Sequence, residues 1–358
     1  MQFPATTDPV ASVIVLAWRL SDVMVACLQS LRRSVNPPPY EVIIVLNGAD
    51  AITRAAVHDR VVGATVVDLE ANLGFSGGCN AGAVVARGRY FVFLNDDTEV
   101  EPDWLATIVE SADAAPASVG AVASVLCDPD GTVQEAGCRV VRGGGTIALG
   151  HGMTIAEAGA LGLLSRREID YGAGAALLVR RDAFEQVGGF DSVYAPAYFE
   201  DVDLSFRMKQ AGFATVLEPD ARATHLSGAS TARDQMFREF ASTRSSAVFR
   251  ERWSSVLAQA PLADAPIEHL CDVSLATGPR IVGSLFDGVS TATAALRIAS
   301  AYAEWLRRDV ERSREVAQRE AELRVALVTM SPLAVLRWRL GIWWRGRGRS
   351  TTSETETG

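Results

Sequence analysis

The chain of 358 residues has room for one large domain or two ordinary ones, which excludes a mini-protein held by metal or disulfide staples. Its 48% hydrophobic and 22% charged residues give the profile of a globular protein rather than a disordered or collagenous one. A net charge of −9 argues against general nucleic-acid binding, and five cysteines without CxxC or Cys/His spacing suggest neither a zinc site nor a disulfide framework, so a reducing cytoplasm fits.

The first nine residues carry no basic segment ahead of an apolar stretch, and no apolar run reaches membrane-spanning length, so neither a classical signal nor an integral span is expected. Residues 11–18, ASVIVLAW, read as a strand buried on both faces. A helix is predicted from Ser21 and Asp22 up to the break at Pro37, Pro38 and Pro39. The cycle repeats with a strand at 41–46, a short helix around 52–58 and a strand at 64–69. A Gly-rich helix start and a strand at 89–97 follow, the latter running into an acidic tip. Such alternation predicts βαβ units and an open α/β sheet. Beyond it we expect a helix at 104–114, a strand at 119–126 and a mobile, turn-rich loop over 128–152. A second ordered block at 171–230 contains the strand AALLVRR, a helix from Asp182 and an amphipathic helix at 200–212. From 233 onward the pattern is helical, the longest helix being expected at 291–328.

Ligands of an open parallel sheet bind beyond the carboxyl ends of its strands. Asn95, Asp96 and Asp97 stand at such an end, where their oxygens suit a divalent cation and a diphosphate, or equally a helix cap. The segment Asn72 to Gly82 brings glycines to a helix start, for close backbone approach to a ligand or for tight packing. It is neither a dinucleotide fingerprint nor a Walker loop. Glu200, Asp201 and Asp203 cluster where a helix dipole favours acids, and His225 lies beside a predicted strand.

In this order the segments VIVLAWR, EVIIVLNGAD, ANLGFSGGCNAG, GRYFVFLNDDTEV, GAGAALLVRRDAFEQVGGFD, YFEDVDLSFRMKQAGF and THLSGAS resemble the inverting glycosyltransferases of family 2, in their rhamnosyl- and galactofuranosyltransferase-like branch. The resemblance covers roughly residues 11–230. It implies an α/β fold of the GT-A type, Rossmann-like, with a mostly parallel central sheet flanked by helices. It also implies that Asn95, Asp96 and Asp97 form a DxD-type motif, with Asp97, Asp96 and His225 holding Mn²⁺ or Mg²⁺. By the same resemblance Asp201 is the general base, with Glu200 supporting it. The nucleotide-sugar donor is expected at Ala17, Trp18, Arg19, Asn47, Asn72, Gly78, Asn80, Asn95, Asp96 and Gly174, with Gly172, Ala173 and Gly174 as the floor. One departure is plain: Leu46 stands where the family carries a base-contacting aspartate, and leucine cannot accept the pyrimidine N–H.

The implied activity is transfer from a UDP- or dTDP-sugar, of rhamnose or galactofuranose type, to a hydroxyl of a cell-surface glycan or glycolipid, in cell-wall or polysaccharide biosynthesis. A polyprenyl-phosphate sugar synthase and a non-catalytic glycan-binding scaffold are the alternatives. The expected organisation is a catalytic domain at 1–232, a helical C-terminal region at 233–330 and a basic, aromatic segment with a disordered tail at 331–358. That region reads as a helical hairpin packed on the catalytic domain or pairing two copies in a homodimer. Trp338, Trp343 and Trp344 lie among Arg337, Arg339, Arg345, Arg347 and Arg349, a mixture that suits an anionic membrane interface. The expected place is the cytoplasm, peripheral at the inner face of the membrane, near polyprenyl-linked acceptors.

Overall fold

A computed structural model of the chain describes residues 1–18, 21–226, 235–271 and 296–308, with single positions at 311, 314 and 318. The expectations for Arg19 and for residues 331–358 lie outside the described residues. So does most of the long helix expected at 291–328, of which 296–308 is helical.

The chain alternates as its apolar runs predict: β1 (Ala11–Ala17), α1 (Ser21–Arg32), β2 (Tyr40–Asn47), α2 (Ala51–Arg60), β3 (Thr65–Leu69), α3 (Gly74–Val85) and β4 (Tyr90–Asn95). Then come β5 (Thr98–Val100), α4 (Trp104–Ala114), β6 (Val119–Cys127), β7 (Val133–Glu135), β8 (Cys138–Val140), β9 (Thr146–Ala148), α5 (Ile155–Ala160) and β10 (Arg167–Ile169). The remainder is β11 (Ala176–Arg180), α6 (Arg181–Val187), α7 (Glu200–Gln210), β12 (Ala214–His225), α8 (Gln235–Arg252), α9 (Ser254–Leu257) and α10 (Ile267–Cys271).

The main path of the large sheet runs β10-β12-β6-β11-β4-β1-β2-β3. β1 is parallel to both β2 and β4, β2 is parallel to β3, and β12 is parallel to β6, whereas β11 is antiparallel to both neighbours. Strand alternation sorts the apolar residues into two cores. Val13, Val15, Val42, Ile44 and Leu46 pack on one face with Met24 and Leu28 of α1 and Trp104 of α4. Ile14, Ile43, Val45, Phe91 and Phe93 pack on the other with Cys79 of α3, Phe184 of α6 and Leu204 of α7. Burial on both faces explains why these strands read as continuous apolar runs. The order of strands reverses between β1 and β4, and this switch point opens the crevice in which the site lies.

Two expectations are corrected. The segment 128–152 is not a loose loop. It contains β7, which pairs with β6, and the β8/β9 hairpin, and it buries Val133, Ala136, Cys138 and Val140. Short strands of three residues carry too little periodicity to be read from sequence. The boundary expected at 233 is also displaced, since one compact unit runs over residues 1–299 and a second over 300–358. The cause is α8, which packs into the first unit. Asp203 of α7, buried in a third core with Phe206, Phe249 and Trp253, receives hydrogen bonds from Arg207 Nε (2.6 Å), Tyr194 Oη (2.9 Å), Trp253 Nε1 (2.9 Å) and Arg252 Nη1 (3.0 Å).

Candidate active site

Three strand ends supply one wall of the crevice: β1 leads into Trp18, β2 ends at Asn47, and β4 ends at Asn95 and leads into Asp96 and Asp97. Asn47 fixes the opposite loop. Its Nδ2 donates to Asn72 Oδ1 (3.1 Å) and to the Gly74 carbonyl (3.0 Å), and its Oδ1 accepts the Leu73 N–H (2.8 Å). Gly74, at φ +74°, lets α3 start against Pro196, whose carbonyl accepts the Phe75 N–H at 2.8 Å. A Cβ at Gly74 would come within 2.5 Å of that carbonyl oxygen. Trp18, Asn47, Asn72, Asn95 and Asp96 thus border one cavity with Phe75. Leu46 does not face it; the side chain is fully buried in the core beneath.

A second cavity of about 470 Å³ adjoins it, with Asn95, Asp97 and Phe75 on the shared wall. Here Asp97 meets His225, its Oδ1 lying 3.2 Å from Nε2. The pairing is built into the backbone. His225 of β12 is in register with Thr98 of β5, and the Leu226 N–H donates to the Asp97 carbonyl at 2.9 Å. His225 Nδ1 lies 2.7 Å from Gln134 Oε1.

Across the cavity, α7 begins with two non-glycine residues in left-handed conformation, Tyr198 (φ +75°) and Phe199 (φ +69°). Consecutive strain of this kind persists where surrounding structure over-determines it. It sets Asp201 against the β11 approach, where Asp201 Oδ2 accepts the Gly174 N–H (3.1 Å) and Oδ1 the Val202 N–H (2.8 Å). Burial nevertheless holds the Asp201 carboxyl above the usual carboxylate range. Its neighbour Glu200 is driven much higher, first by burial and then by the Asp201 charge, and Glu200 Oε2 has no hydrogen-bond partner. Glu200 therefore holds its proton to higher pH than an ordinary glutamate.

Asp96 is a contrasting case. Burial, and then the Asp97 charge, push its carboxyl up to about 8, against a hydrogen bond from the Trp18 backbone. Asp96 Oδ2 is buried without a partner. A buried acceptor left unpaired is costly, which fits a position completed by a cation or a ligand hydroxyl.

Several expected site residues are placed differently. Asn80 is a packing residue, exchanging hydrogen bonds with the Phe190 backbone at 2.8 and 3.0 Å. Gly78 lets α3 close onto β1, since a Cβ there would sit 2.3 Å from Leu16 Cδ1. Ala17 is fully buried in the core. Gly172 makes room for Ala123, whereas Ala173 and Gly174 do border the cavity. Asp96, Asp97 and His225 are not gathered as a set: among the described residues, no group of three or more His, Cys, Asp and Glu is arranged around one point. The converging pair is Asp97 and His225, while Asp96 borders the first cavity only. The geometry also adds residues that the motifs did not single out. Glu135, buried, accepts the Ala173 N–H (3.0 Å), and Phe75 packs on Gly174. Tyr171 and Arg238 complete the lining. Glu135 and Gln134 lie within the segment that reads as a loop, so no local pattern marked them.

The pair Asp97 and His225 suits a divalent cation by its donor chemistry. Carboxylate oxygen suits Mn²⁺ and Mg²⁺, imidazole nitrogen suits transition-metal ions, and the two side chains meet at 3.2 Å, close enough to share one cation.

The description glycosyl transferase family 2 fits residues 12–188 of the chain. An N-acetylglucosaminyl-diphospho-decaprenol L-rhamnosyltransferase of Mycobacterium tuberculosis is 30% identical over 244 residues, covering 63% of this chain and 78% of that protein. The protein y4gI of Sinorhizobium fredii is 30% identical over 237 residues, 64% of this chain and 26% of its own length. The O-antigen biosynthesis protein RfbC of Myxococcus xanthus is 29% identical over 248 residues, 65% of this chain and 18% of its own length. The chain thus spans about a quarter or less of two of these relatives. A mannosyltransferase of Pyrobaculum calidifontis, solved in complex with GDP-Man and Mn²⁺, superposes with a TM-score of 0.47 at 16% identity, covering 95% of this chain and 81% of that one.

Proposed function

The chain belongs to glycosyl transferase family 2, and from that premise we propose that it transfers a sugar, with inversion, from a nucleotide-sugar to a hydroxyl of a lipid-linked glycan. The observation that carries the reading is one cavity bordered by Asp97 and His225 on one side and by Asp201 on the other. The adjoining cavity at Trp18, Asn47, Asn72 and Asp96 would take the nucleoside, and the shared wall at Asn95 and Asp97 would lie beside its diphosphate. Asp97 and His225 would hold Mn²⁺ or Mg²⁺, which as a Lewis acid offsets the charge developing on the leaving nucleoside diphosphate.

Asp201 is the general base. Its two backbone N–H donors hold the carboxylate in one orientation, and its raised affinity for a proton suits removal of the acceptor's hydroxyl proton as that oxygen attacks the anomeric carbon. Burial and the Asp201 charge raise the proton affinity of Glu200 beside it, which disfavours a second negative charge there. Gly174 leaves room for sugar over the ring of Phe75; a Cβ would lie 2.8 Å from that ring. Base recognition would rest on Trp18, Asn72 and backbone, because Leu46 is withdrawn into the core. A decaprenyl-diphosphate-linked N-acetylglucosamine acceptor and a dTDP-rhamnose-type donor are the first to try, after the M. tuberculosis relative's description.

The test is Asp201→Asn. Removing a general base costs about 10²–10⁴ in rate, so turnover should fall by that factor while donor binding, read by calorimetry, stays intact. Unchanged turnover removes Asp201 as the base.

A further inference from the structure

Building on the cation reading of Asp97 and His225, we propose that Gln134 is a positioning residue that keeps His225 in one tautomer, with Nδ1 protonated and Nε2 bare. Gln134 and His225 flank the end of β6: Cys127 is in register with Val133 of β7 on one side and with Thr224 of β12 on the other. This placement brings Gln134 Oε1 to 2.7 Å from His225 Nδ1.

The amide cannot be turned round. Gln134 Nε2 donates to Asp128 Oδ1 at 2.8 Å and to the His225 carbonyl at 3.1 Å, so exchange of N and O would set three acceptors against one another. Asp128 is itself anchored by a tight turn, in which its N–H donates to the Thr132 carbonyl (2.8 Å) and its carbonyl accepts the Gly131 N–H (2.9 Å). An acceptor fixed against Nδ1 requires that nitrogen to carry the proton, and a neutral ring then presents a lone pair at Nε2. That lone pair points at Asp97 Oδ1, 3.2 Å away. Without Gln134, the favoured tautomer would place N–H at Nε2, donating to Asp97 and closing the nitrogen to a cation. Partners of this kind, which orient a ligating histidine through its other nitrogen, are typically worth 10–100-fold in metal affinity.

The chain has four histidines, so ¹⁵N-histidine NMR of the metal-free full chain can resolve the ring of His225, with His225→Asn for assignment. At about pH 8.5, roughly two units above an unperturbed imidazole, we expect the Nδ1–H pattern in the wild type. Gln134→Leu should switch it to Nε2–H and weaken Mn²⁺ binding, read from the EPR signal of free Mn²⁺, by about 10–100-fold. An imidazolium or an Nε2–H ring in the wild type overturns the proposal without any variant. So does an unchanged tautomer in folded Gln134→Leu. If the wild type shows the tautomer and Gln134→Leu switches it, yet neither takes up Mn²⁺, the cation reading fails and the role of Gln134 stands.

Discussion

Two adjacent acids at the start of α7 meet different fates because one has a donor on each oxygen and the other has one oxygen enclosed without a partner. Asp201 is met by two backbone N–H groups, while Glu200 is enclosed with one oxygen unpartnered, so burial raises the proton affinity of Glu200 far more than that of Asp201. This division of labour between neighbouring acids has a consequence for stability. Between the ordinary glutamate value and the raised one in the folded state, the native protein binds a proton that the unfolded chain has lost. Stability contributed by the neutral acid is complete below the unfolded value and is lost as pH rises through the folded one. Glu200→Gln should therefore flatten the fall in urea midpoint on raising pH, leaving the smaller slope from Asp201. An identical slope in both proteins would mean that Glu200 is ionised throughout.

Among the elements, α7 does most to join the site to the frame. Asp203, two residues after Asp201, is the common acceptor for Tyr194, Arg207, Arg252 and Trp253, and the two guanidinium groups hold its carboxyl below the usual range despite burial. The cluster ties α7 to α8 and to the turn at Ser192–Tyr194, just ahead of Pro196, on which Gly74 packs. Asp203→Ala leaves the fully buried Arg207 without its anion, whereas Arg252 keeps Asp191 at 2.9 Å, and breaking a buried pair in this way commonly costs about 3–5 kcal/mol. Denaturant unfolding should show a loss of that size; a loss under about 1 kcal/mol, the range of an exposed pair, would mean that water replaces the carboxylate.

For the whole molecule, the decisive feature is that β1 and β4 are adjacent although α1, α2, α3, β2 and β3 lie between them in the chain. The reversal brings Trp18, Asn95 and Asp97 to one rim, and β12 returns His225 to it from more than a hundred residues away. A site assembled from so many elements should be stabilised as a unit by its ligands. Donor at about a hundredfold its Kd adds about 2.7 kcal/mol, which for a unit of this size raises Tm by about 4 °C. A thermal-shift panel of UDP-, dTDP- and GDP-sugars with Mn²⁺, Mg²⁺ or EDTA should show such a rise for one nucleotide, removed by EDTA and by Asp97→Ala. A rise that survives EDTA would separate donor binding from the cation.

The sequence by itself determined the sheet-forming runs, because strands buried on both faces must be apolar throughout and helices between them must carry one apolar stripe. It also marked Asn95, Asp96, Asp97, Asp201 and His225, polar residues set just beyond such runs. The tertiary structure decided their roles. Asn80 and Gly78 belong to the same motif as Asn72, yet they face Phe190 and Leu16 inside the protein, 110 residues away in the case of Asn80. Gln134 and Glu135 sit in a three-residue strand with no readable period, and they matter only because β6 and β12 pass beside them. Protonation likewise depends on desolvation and on the charges brought near, and both are properties of the folded arrangement that no local run of residues contains.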